Sequence, residues 1–294
     1  MVDCSRELEK YWDEKVKLSQ DKYSELMRKR DLQIEKLKTN LSLEPLYPQP
    51  TEFINQGSYA MKSLIQQDDE YDIDVGIVFD KVALDSYDRK EPAYIKNQIG
   101  KKLKDERFSK SPSVLKNCVR VNYKENYHID MPVFRKNGDV LELASGSSWE
   151  ESNPKYINQW FQTEKSKKPH LKKIVQLLKK WSKSRSDWSM PSGLILSILA
   201  SECYCYDERL DKSFYATLSA INLRLQRNKN IQIPNTSTVI TSSEKHSEKV
   251  KNLSEKLKSF FDGGFKLYGE EDKQRALKVW KAFFNDRYFE ELIK

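Results

Sequence analysis

The sequence predicts an α+β fold, in which a long first helix leads into a small mixed sheet and a helical lobe follows. Three observations lead to this prediction. Apolar residues recur at helical spacing over residues 5–41, alternate with a period of two over residues 71–79, and return to helical spacing from about residue 153. Strands that come before a run of helices are typical of the α+β class.

The first predicted helix runs from residue 5 to about residue 41. Its apolar positions are Leu8, Trp12, Val16, Tyr23, Met27, Ile34, Leu37 and Leu41. Pro48 and Pro50 end this pattern, because proline does not continue a helix. After a short apolar piece at residues 53–54, a second helix is predicted from Tyr59 to about Gln66.

The next segment, Tyr71 to Phe79, is predicted to be a strand that carries two carboxylates. Its odd positions are apolar, whereas Asp72 and Asp74 occupy even positions. Successive side chains of a strand point to opposite faces, so both carboxylates share one face. The strand therefore packs through its apolar face and presents Asp72 and Asp74 on the other.

Further strands follow a helix that is predicted from about Ala93 to Phe108. Residues 118–123 and 127–135 alternate as strands do, and Asn137-Gly138 indicates a hairpin from which residues 140–144 return. Pro132 indicates a sheet edge or the end of a strand.

The second part of the chain is predicted to be helical, with domains at residues 1–160 and 161–294. A stripe at helical spacing consists of Leu171, Ile174, Val175, Leu178 and Trp181. The opposite, solvated face is predicted to hold Lys172, Lys173, Gln176, Lys179, Lys180 and Lys183. A buried helix over residues 193–206, a loop over residues 226–246, and helices near 247–261 and 270–292 complete the chain.

Composition narrows the class of protein. The net charge of +8 suits an anionic partner such as a nucleoside triphosphate or a nucleic acid, although a lysine-rich soluble surface explains it equally well. The four cysteines are scattered and no targeting segment is recognised, so we expect a reduced, cytoplasmic protein. No apolar run approaches the roughly 20 residues of a membrane span.

One constellation points to chemistry: Gly57-Ser58, followed by Asp72 and Asp74, and Asp130 on a later strand. Carboxylates on neighbouring strands suit Mg²⁺, which prefers oxygen ligands and bridges substrate phosphates. A Gly-Ser turn at a helix start offers backbone N–H groups to phosphate oxygens. Each part alone is ordinary, since Asp-x-Asp often decorates a solvated strand face. The combined spacing is more specific and predicts phosphoryl transfer with divalent metal ions.

The segments GSYAMKSL, YDIDVGIVFD and YHIDMPVF resemble the nucleotidyltransferase superfamily of DNA polymerase β. Within that superfamily the chain resembles the bacterial cGAS/DncV-like nucleotidyltransferases, the CD-NTases. The first helix resembles that family's spine helix, and QLLKKW with MPSGLILSILASE resembles the start of its helical C-terminal lobe. The resemblance covers most of the chain and implies a polymerase-β-like core.

The resemblance also implies roles for individual residues. These are Asp72, Asp74 and Asp130 as the catalytic metal ligands, Gln56, Gly57 and Ser58 as the phosphate-binding turn, and Lys179 and Ser192 as contacts of the donor triphosphate. Lys180 is an alternative to Lys179 by a shift of register. His128 shares a strand face with Asp130 and is either a contact of the acceptor nucleotide or an ordinary strand histidine. Arg120 and Asn122 are weaker candidates for the acceptor side.

The implied function is synthesis of a cyclic di- or trinucleotide from ATP and other nucleoside triphosphates, with two Mg²⁺ ions (or Mn²⁺) and release of pyrophosphate. The resemblance implies a role in bacterial anti-phage signalling of the CBASS type, with a separate effector protein that binds the product. We expect a monomer. DNA-sensing animal members carry a zinc insertion that the Cys and His positions here do not provide, so no obligatory DNA activator is expected.

Other functions share the same three carboxylates. They are a linear oligonucleotide synthase, an RNA or tRNA nucleotidyltransferase, and transfer of a nucleotidyl group to a protein or small molecule. A nucleotide-binding module with an inactive site is a further alternative, but the presence of Asp72, Asp74 and Asp130 counts against it.

Overall fold

The computed structural model describes residues 1–293 except 45, 67–70, 88–89, 106 and 125–126, and only the backbone of Ser109. The chain divides into two compact units. The helical unit comprises Met1–Lys17 and Trp160–Lys294, and the sheet unit comprises Leu18–Gln159. The predicted division into domains at residue 160 stays a prediction. No helix among the described residues is long and apolar enough to cross a membrane.

The described helices follow one another along the chain, and the strands lie between the third and sixth of them. The helices are α1 (Ser5–Tyr11), α2 (Gln20–Ser42), α3 (Gly57–Ala60), α4 (Lys81–Asp85), α5 (Pro92–Lys102), α6 (Pro154–Lys167), α7 (Leu171–Ser182), α8 (Gly193–Glu202), α9 (Leu210–Arg227), α10 (Glu244–Asp262) and α11 (Lys273–Phe284). A π-helical turn, Trp12–Val16, follows α1, and a 3₁₀ turn, Arg287–Leu292, follows α11.

The sheet unit is built around a mixed sheet, which confirms the α+β prediction. Its strands are β1 (Pro50–Gln56), β2 (Tyr71–Asp80), β3 (Phe108–Val114), β4 (Val119–Tyr123), β5 (Tyr127–Met131), β6 (Val133–Asn137), β7 (Val140–Ser145) and β8 (Ser148–Glu151). Their order is β3-β4-β5-β2-β6-β7-β8, and β1 pairs with β2. β2 runs parallel to β5 and β6 and antiparallel to β1.

Pro132 divides the two parallel partners of β2. The first half of β2 pairs with β5 and the second half with β6. Proline has no N–H to donate to a ladder, but its carbonyl still accepts a hydrogen bond from the N–H of Ile77 at 2.8 Å. The prediction of a strand end at Pro132 is therefore confirmed.

The two faces of β2 differ as the alternating pattern predicts. Ile73, Val75 and Ile77 are fully buried in the main core, which also receives side chains from α2 and α5. On the other face, a small cluster that includes Val78 and Phe134 covers only the second half of the strand. The first half of that face therefore carries the polar residues Asp72 and Asp74.

The first predicted helix is wrong in one respect, because it is interrupted rather than continuous. Lys17 leaves the π-helical turn with an extended ψ of 128°. Ser19 then begins α2, and its hydroxyl accepts a hydrogen bond from the N–H of Lys22 at 3.2 Å. A serine at this position satisfies an N–H group that has no partner within the helix, so it favours a new helix start.

Other element boundaries also differ from the sequence predictions. α3 is a single short turn, and α5 ends at Lys102, after which Phe108–Val114 forms an edge strand instead of a helix end. β8 was not predicted. The predicted loop near residues 226–246 begins only after α9 and ends where α10 starts at Glu244, and the last predicted helix is split after Phe284 by Asn285 in a left-handed conformation.

The core of the helical unit is largely aromatic. Trp181 stacks on Phe283 with ring centroids 5.0 Å apart, and Phe283 stacks on Phe265 at 4.6 Å. The N-terminal residues join this unit through buried Asp211, whose carboxylate accepts a hydrogen bond from the N–H of Cys4 at 2.9 Å. Arg209 pairs with the same carboxylate at 2.7 Å, so the buried charge is compensated.

Candidate active site

The strand register brings the three predicted carboxylates onto one face of the sheet. Asp74 on β2 lies directly beside Asp130 on the parallel strand β5, and Asp72 lies beside His128. Because neighbours in a register share a face, Asp72, Asp74 and Asp130 form one acidic group, here called the carboxylate triad. The triad lies where the apolar cover of β2 ends.

Gly57 lies directly against the triad. β1 ends at Gln56, which pairs with Asp74, and the chain then turns at Gly57 with φ +61°. A Cβ atom at residue 57 would lie only 2.2 Å from Oδ2 of Asp74. Glycine is therefore required here for its backbone conformation and for the close approach. Ser58 follows in the first turn of α3, so the Gly-Ser turn and the metal-type carboxylates are neighbours.

Asp74 is the most strongly perturbed member of the triad. Burial raises the pKa of its carboxyl to about 7, and the neighbouring carboxylates of Asp130 and Asp72 raise it further. Gathering negative charge in a buried place is unfavourable unless a cation compensates it. This arrangement is typical of a functional site rather than of a solvated strand face.

Two cationic side chains already hold the other carboxylates. The guanidinium of Arg120 donates from Nε and Nη2 to the two oxygens of Asp130, each at 2.7 Å. Nε2 of His128 lies 2.8 Å from Oδ1 of Asp72, and this hydrogen bond raises the pKa of the imidazole. His128 is therefore tied to the triad within the protein, although sequence reasoning left its role open.

The donor set of the triad fits a hard divalent cation. It offers carboxylate oxygens only, which are the ligands that Mg²⁺ and Mn²⁺ favour, and the perturbed pKa of Asp74 shows that the group lacks positive charge. Within the described ranges, no three His, Cys, Asp or Glu side chains already converge as a metal cage. The engagement of Asp130 by Arg120 and of Asp72 by His128 explains why the cage is not preformed.

The side chain of Gln56 lies on the same face of β2 as the triad. A Cβ atom at Gly76 would lie 2.3 Å from Nε2 of Gln56 and 2.8 Å from the ring of Phe134. Among the described side chains, this amide nitrogen is buried without a hydrogen-bond partner. An amide donor held in this way next to the Gly-Ser turn suits an anionic ligand.

The predicted triphosphate contacts Lys179 and Ser192 lie in the helical unit. Lys179 is only 6% exposed, although its face of α7 was predicted to be solvated, and burial lowers the pKa of its amine to about 7. Gln176 on the same face is also buried and accepts a hydrogen bond from Nε1 of Trp12 at 3.0 Å. The prediction of a fully solvated face is therefore wrong at Gln176 and Lys179.

Lys180 and Ser192 are more accessible than Lys179. Lys180, the register alternative, is partly exposed, and Ser192 is exposed at the N-terminus of α8. The hydroxyl of Ser192 makes no capping hydrogen bond to α8.

Sequence reasoning missed the part that Arg120 plays beside Asp130. Arg120 was considered only as a lining residue, whereas the register of β4 and β5 places it directly opposite Asp130. The alternation of β4 showed that Arg120 and Asn122 share a face, but the pairing partner of that face lies on another strand.

A central strand with two carboxylates, a third carboxylate on its parallel neighbour and a Gly-Ser turn against them define a nucleotidyltransferase core of the polymerase β type. Residues 51–134, which contain the triad and the turn, match the family model described as "Cyclic GMP-AMP synthase DncV-like, nucleotidyltransferase domain". The chain belongs with the cGAS/DncV-like nucleotidyltransferases, as its sequence resemblance implied.

Two curated relatives align with more than half of the chain. A cyclic GMP-AMP synthase of Escherichia albertii is 24% identical over 185 residues, which are 56% of this chain and 40% of that protein. A c-di-GMP synthase of Roseivirga ehrenbergii is 24% identical over 201 residues, which are 56% of this chain and 52% of that protein. The matched part thus spans about half the length of these relatives or less.

Solved structures show the same fold over nearly the whole chain. Vibrio cholerae DncV in complex with a linear intermediate superposes with a TM-score of 0.71 at 16% identity, covering 93% of this chain and 92% of that chain. Escherichia coli CdnC with ATP has a TM-score of 0.71 at 16% identity, covering 98% and 99%. Escherichia coli DncV bound to 3′-deoxy GTP has a TM-score of 0.72 at 17% identity, covering 95% and 94%.

Proposed function

We propose that this protein is a Mg²⁺-dependent synthase that joins nucleoside triphosphates into a cyclic di- or trinucleotide and releases pyrophosphate. The observation that carries the proposal is the buried Asp74 carboxylate, which lies against the Gly57 turn and beside Asp130. The printed names of the relatives, cyclic GMP-AMP synthase and c-di-GMP synthase, support a cyclic product.

In this proposal Asp72, Asp74 and Asp130 hold the divalent cations. Bound Mg²⁺ would supply positive charge that activates the attacking hydroxyl and stabilises the leaving pyrophosphate. The Gly57-Ser58 turn orients the donor phosphates beside Asp74, and the buried amide of Gln56 adds a donor on the same face.

The roles of Lys179 and Ser192 as triphosphate contacts are proposed from the family resemblance. The amine of Lys179 has a pKa lowered to about 7 by burial, so a bound polyphosphate would favour its charged form.

The reaction needs little covalent help from the protein. The oxygen of a 2′- or 3′-hydroxyl on one nucleotide attacks the α-phosphorus of another, the hydroxyl proton is lost, and the bond to the β-phosphate breaks to release pyrophosphate. A second attack of the same kind within the linear product closes the ring. Positioning of the two nucleotides and neutralisation of phosphate charge supply most of the rate enhancement in such transfers.

The family resemblance extends the proposal to a role in the cell. The cyclic product would act as a second messenger that a separate effector protein binds, in anti-phage signalling of the CBASS type. We propose a cytoplasmic monomer whose substrates are ATP and other nucleoside triphosphates.

The net charge of +8 favours a second candidate, a nucleotidyltransferase that extends RNA. Such an enzyme would use the same triad but take a polynucleotide as the acceptor. A linear oligonucleotide synthase would differ only in failing to close the ring.

The proposal is tested by incubating the protein with labelled ATP, GTP, CTP and UTP, singly and mixed, with Mg²⁺ or Mn²⁺. Products are treated with phosphatase and identified by mass spectrometry. Asp72→Ala, Asp74→Ala serves as the inactive variant. Asp80→Asn serves as the matched control, because Asp80 ends the same strand but caps α4 instead, accepting a hydrogen bond from the N–H of Ala83 at 2.9 Å.

A phosphatase-resistant cyclic product made by the wild type and Asp80→Asn, but not by the double variant, is the expected result. Linear products would support an oligonucleotide synthase. Extension of added RNA, without a product from nucleotides alone, would support the RNA candidate. Absence of any divalent-dependent turnover, with RNA present or absent, would overturn the enzymatic proposal.

A further inference from the structure

The guanidinium of Arg120 occupies both oxygens of Asp130. Nε reaches Oδ1 and Nη2 reaches Oδ2, each at 2.7 Å, in the bidentate geometry that makes arginine–carboxylate pairs specific. The Asp130 side chain is 15% exposed and that of Arg120 is 33% exposed. Arg120 is thus the part of the pair that solvent can reach.

The strand register gives this pair its position. Arg120 on β4 lies directly opposite Asp130 on β5, and Asp130 in turn lies beside Asp74 on β2. The three side chains therefore form a row on one face of three adjacent strands. The only cationic member of the row is Arg120, and it sits at the end next to the carboxylate that the proposed function assigns to metal binding.

A divalent cation bound to Asp130 would meet the guanidinium at the same oxygens. Two positive groups that share one carboxylate repel each other strongly, because they lie only a few ångströms apart in a partly buried place. The cation can therefore fill its site fully only when the arginine releases at least one oxygen. Arginine stays charged at any accessible pH, so the competition does not depend on its protonation.

We infer that Arg120 is a built-in counter-ion of the carboxylate triad, which holds Asp130 while no metal is bound and sets the divalent-cation concentration at which the site fills. The inference rests on the proposed function only in taking Asp130 as a metal ligand. It makes Arg120 a positioning residue that acts through Asp130. Its role is distinct from that of a residue that reads the nucleotide.

A permanent structural ion pair predicts the opposite behaviour. If Arg120 served to orient Asp130 for the metal, its removal would weaken cation binding. If Arg120 competes with the metal, its removal strengthens cation binding. The sign of the change in metal affinity therefore separates the two roles, and no measurement of product is needed.

The test is a titration of the nucleotide-free protein with Mn²⁺, in which electron paramagnetic resonance measures the free ion. Arg120→Gln should bind Mn²⁺ with a Kd lower by roughly tenfold, since close charge pairs couple by at least that factor in measured cases. Arg120→Lys keeps the charge but loses the fork, so its Kd should lie between those of Arg120→Gln and the wild type.

Arg107→Gln is the matched control. Arg107 also holds an aspartate with a fork, through Nε and Nη2 to the two oxygens of Asp105 at 2.9 and 2.7 Å, but it lies just before the edge strand β3. Its Mn²⁺ affinity should equal that of the wild type. Thermal unfolding is followed for each variant, and Arg120→Lys decides the question if Arg120→Gln does not fold.

The outcomes separate this inference from the proposed function. Equal or weaker Mn²⁺ binding by the Arg120 variants overturns the counter-ion role, even if the wild type makes a cyclic product. Tighter binding supports it, even if no cyclic product is ever found. No Mn²⁺ binding by any of these proteins would overturn both the metal site and the role of Arg120.

Discussion

Gly57 and Asp74 approach so closely that no side chain fits between them. A Cβ atom at residue 57 would lie 2.2 Å from Oδ2 of Asp74 and 3.1 Å from its Cγ, and the backbone of Gly57 has a φ of +61°. The neighbour is a short side chain on a central strand, so it has little room to yield. The phosphate-type turn and the triad are thus coupled through one contact.

Gly57→Ala is therefore expected to displace the Asp74 carboxylate and to reduce nucleotide turnover strongly, by about 100-fold or more, because small displacements of reacting groups are costly. The left-handed backbone adds a strain of about 1 kcal/mol in the unfolding free energy. Turnover and the unfolding midpoint of purified Gly57→Ala are the measurements.

Gly138→Ala isolates the backbone strain. Gly138 has a φ of +59°, almost the same as Gly57, but a Cβ atom there would meet nothing within 4 Å. It should show a similar loss of stability with normal turnover. Equal turnover by Gly57→Ala and the wild type would contradict the coupling between the turn and Asp74.

Asp74→Asn should separate stability from activity. Burial and the neighbouring carboxylates raise the pKa of Asp74 to about 7, so the ionised side chain is unfavourable at pH 8 and a neutral isostere relieves that cost. We expect unfolding of the metal-free variant at the same temperature or roughly 2–4 °C higher, together with loss of turnover. Calorimetry in the presence of a chelator checks the first expectation, and lower stability than the wild type would contradict it.

The sequence predicted the centre of this site better than its surroundings. The period-two pattern of Tyr71–Asp80 placed Asp72 and Asp74 on the face opposite the core, because alternation is a local property of a strand. It did not predict which strands pair, so Arg120 was not recognised as the partner of Asp130. Register between strands depends on packing across the whole sheet.

Local breaks and helix faces show a similar limit. Ser19 begins a new helix within an otherwise continuous helical pattern, since one hydroxyl that satisfies a helix N–H outweighs weak propensities. Lys179 lies next to the apolar stripe of α7 and is buried, because a packed helix can bury more of its circumference than its apolar residues occupy. Neither effect can be read from composition or spacing.

Lys179→Met should raise stability in a pH-dependent way. Burial lowers the pKa of this amine to about 7 in the folded protein, whereas its model value is 10.5. Below pH 7 both folded and unfolded states are protonated, and the folded protein bears the whole penalty. As the pH rises from 7 to 10.5 only the unfolded state keeps the proton, so the stability of the wild type increases.

The gain from Lys179→Met is therefore largest near pH 6.5, at roughly 2 kcal/mol or more, and it shrinks toward pH 10. Denaturant unfolding at several pH values measures it. Lys180→Met is the matched control, because Lys180 is partly exposed on the same helix and should show little pH dependence. Nucleotide turnover should fall in Lys179→Met only, and a fall in Lys180→Met alone would assign the triphosphate contact to Lys180.

Gly76→Ala tests the position of Gln56 over the central strand. A Cβ atom at residue 76 would lie 2.3 Å from Nε2 of Gln56 and 2.8 Å from Cε2 of Phe134, so we expect a loss of roughly 1–3 kcal/mol in unfolding free energy from overpacking. The flexible amide can be removed, and Gly76→Ala, Gln56→Ala should recover part of the loss while the clash with Phe134 remains. A double-mutant cycle on denaturant unfolding measures this coupling.

Gly100→Ala is the control for that cycle, since a Cβ atom there makes ordinary 3.7 Å contacts with Val114 and Val119 within α5 packing. It should be neutral or stabilising by up to about 1 kcal/mol. If the double variant is as unstable as Gly76→Ala alone, the amide of Gln56 does not lie over residue 76. Because the same amide is the proposed phosphate donor, that result would also remove Gln56 from the nucleotide site while leaving Gly57 and the triad in place.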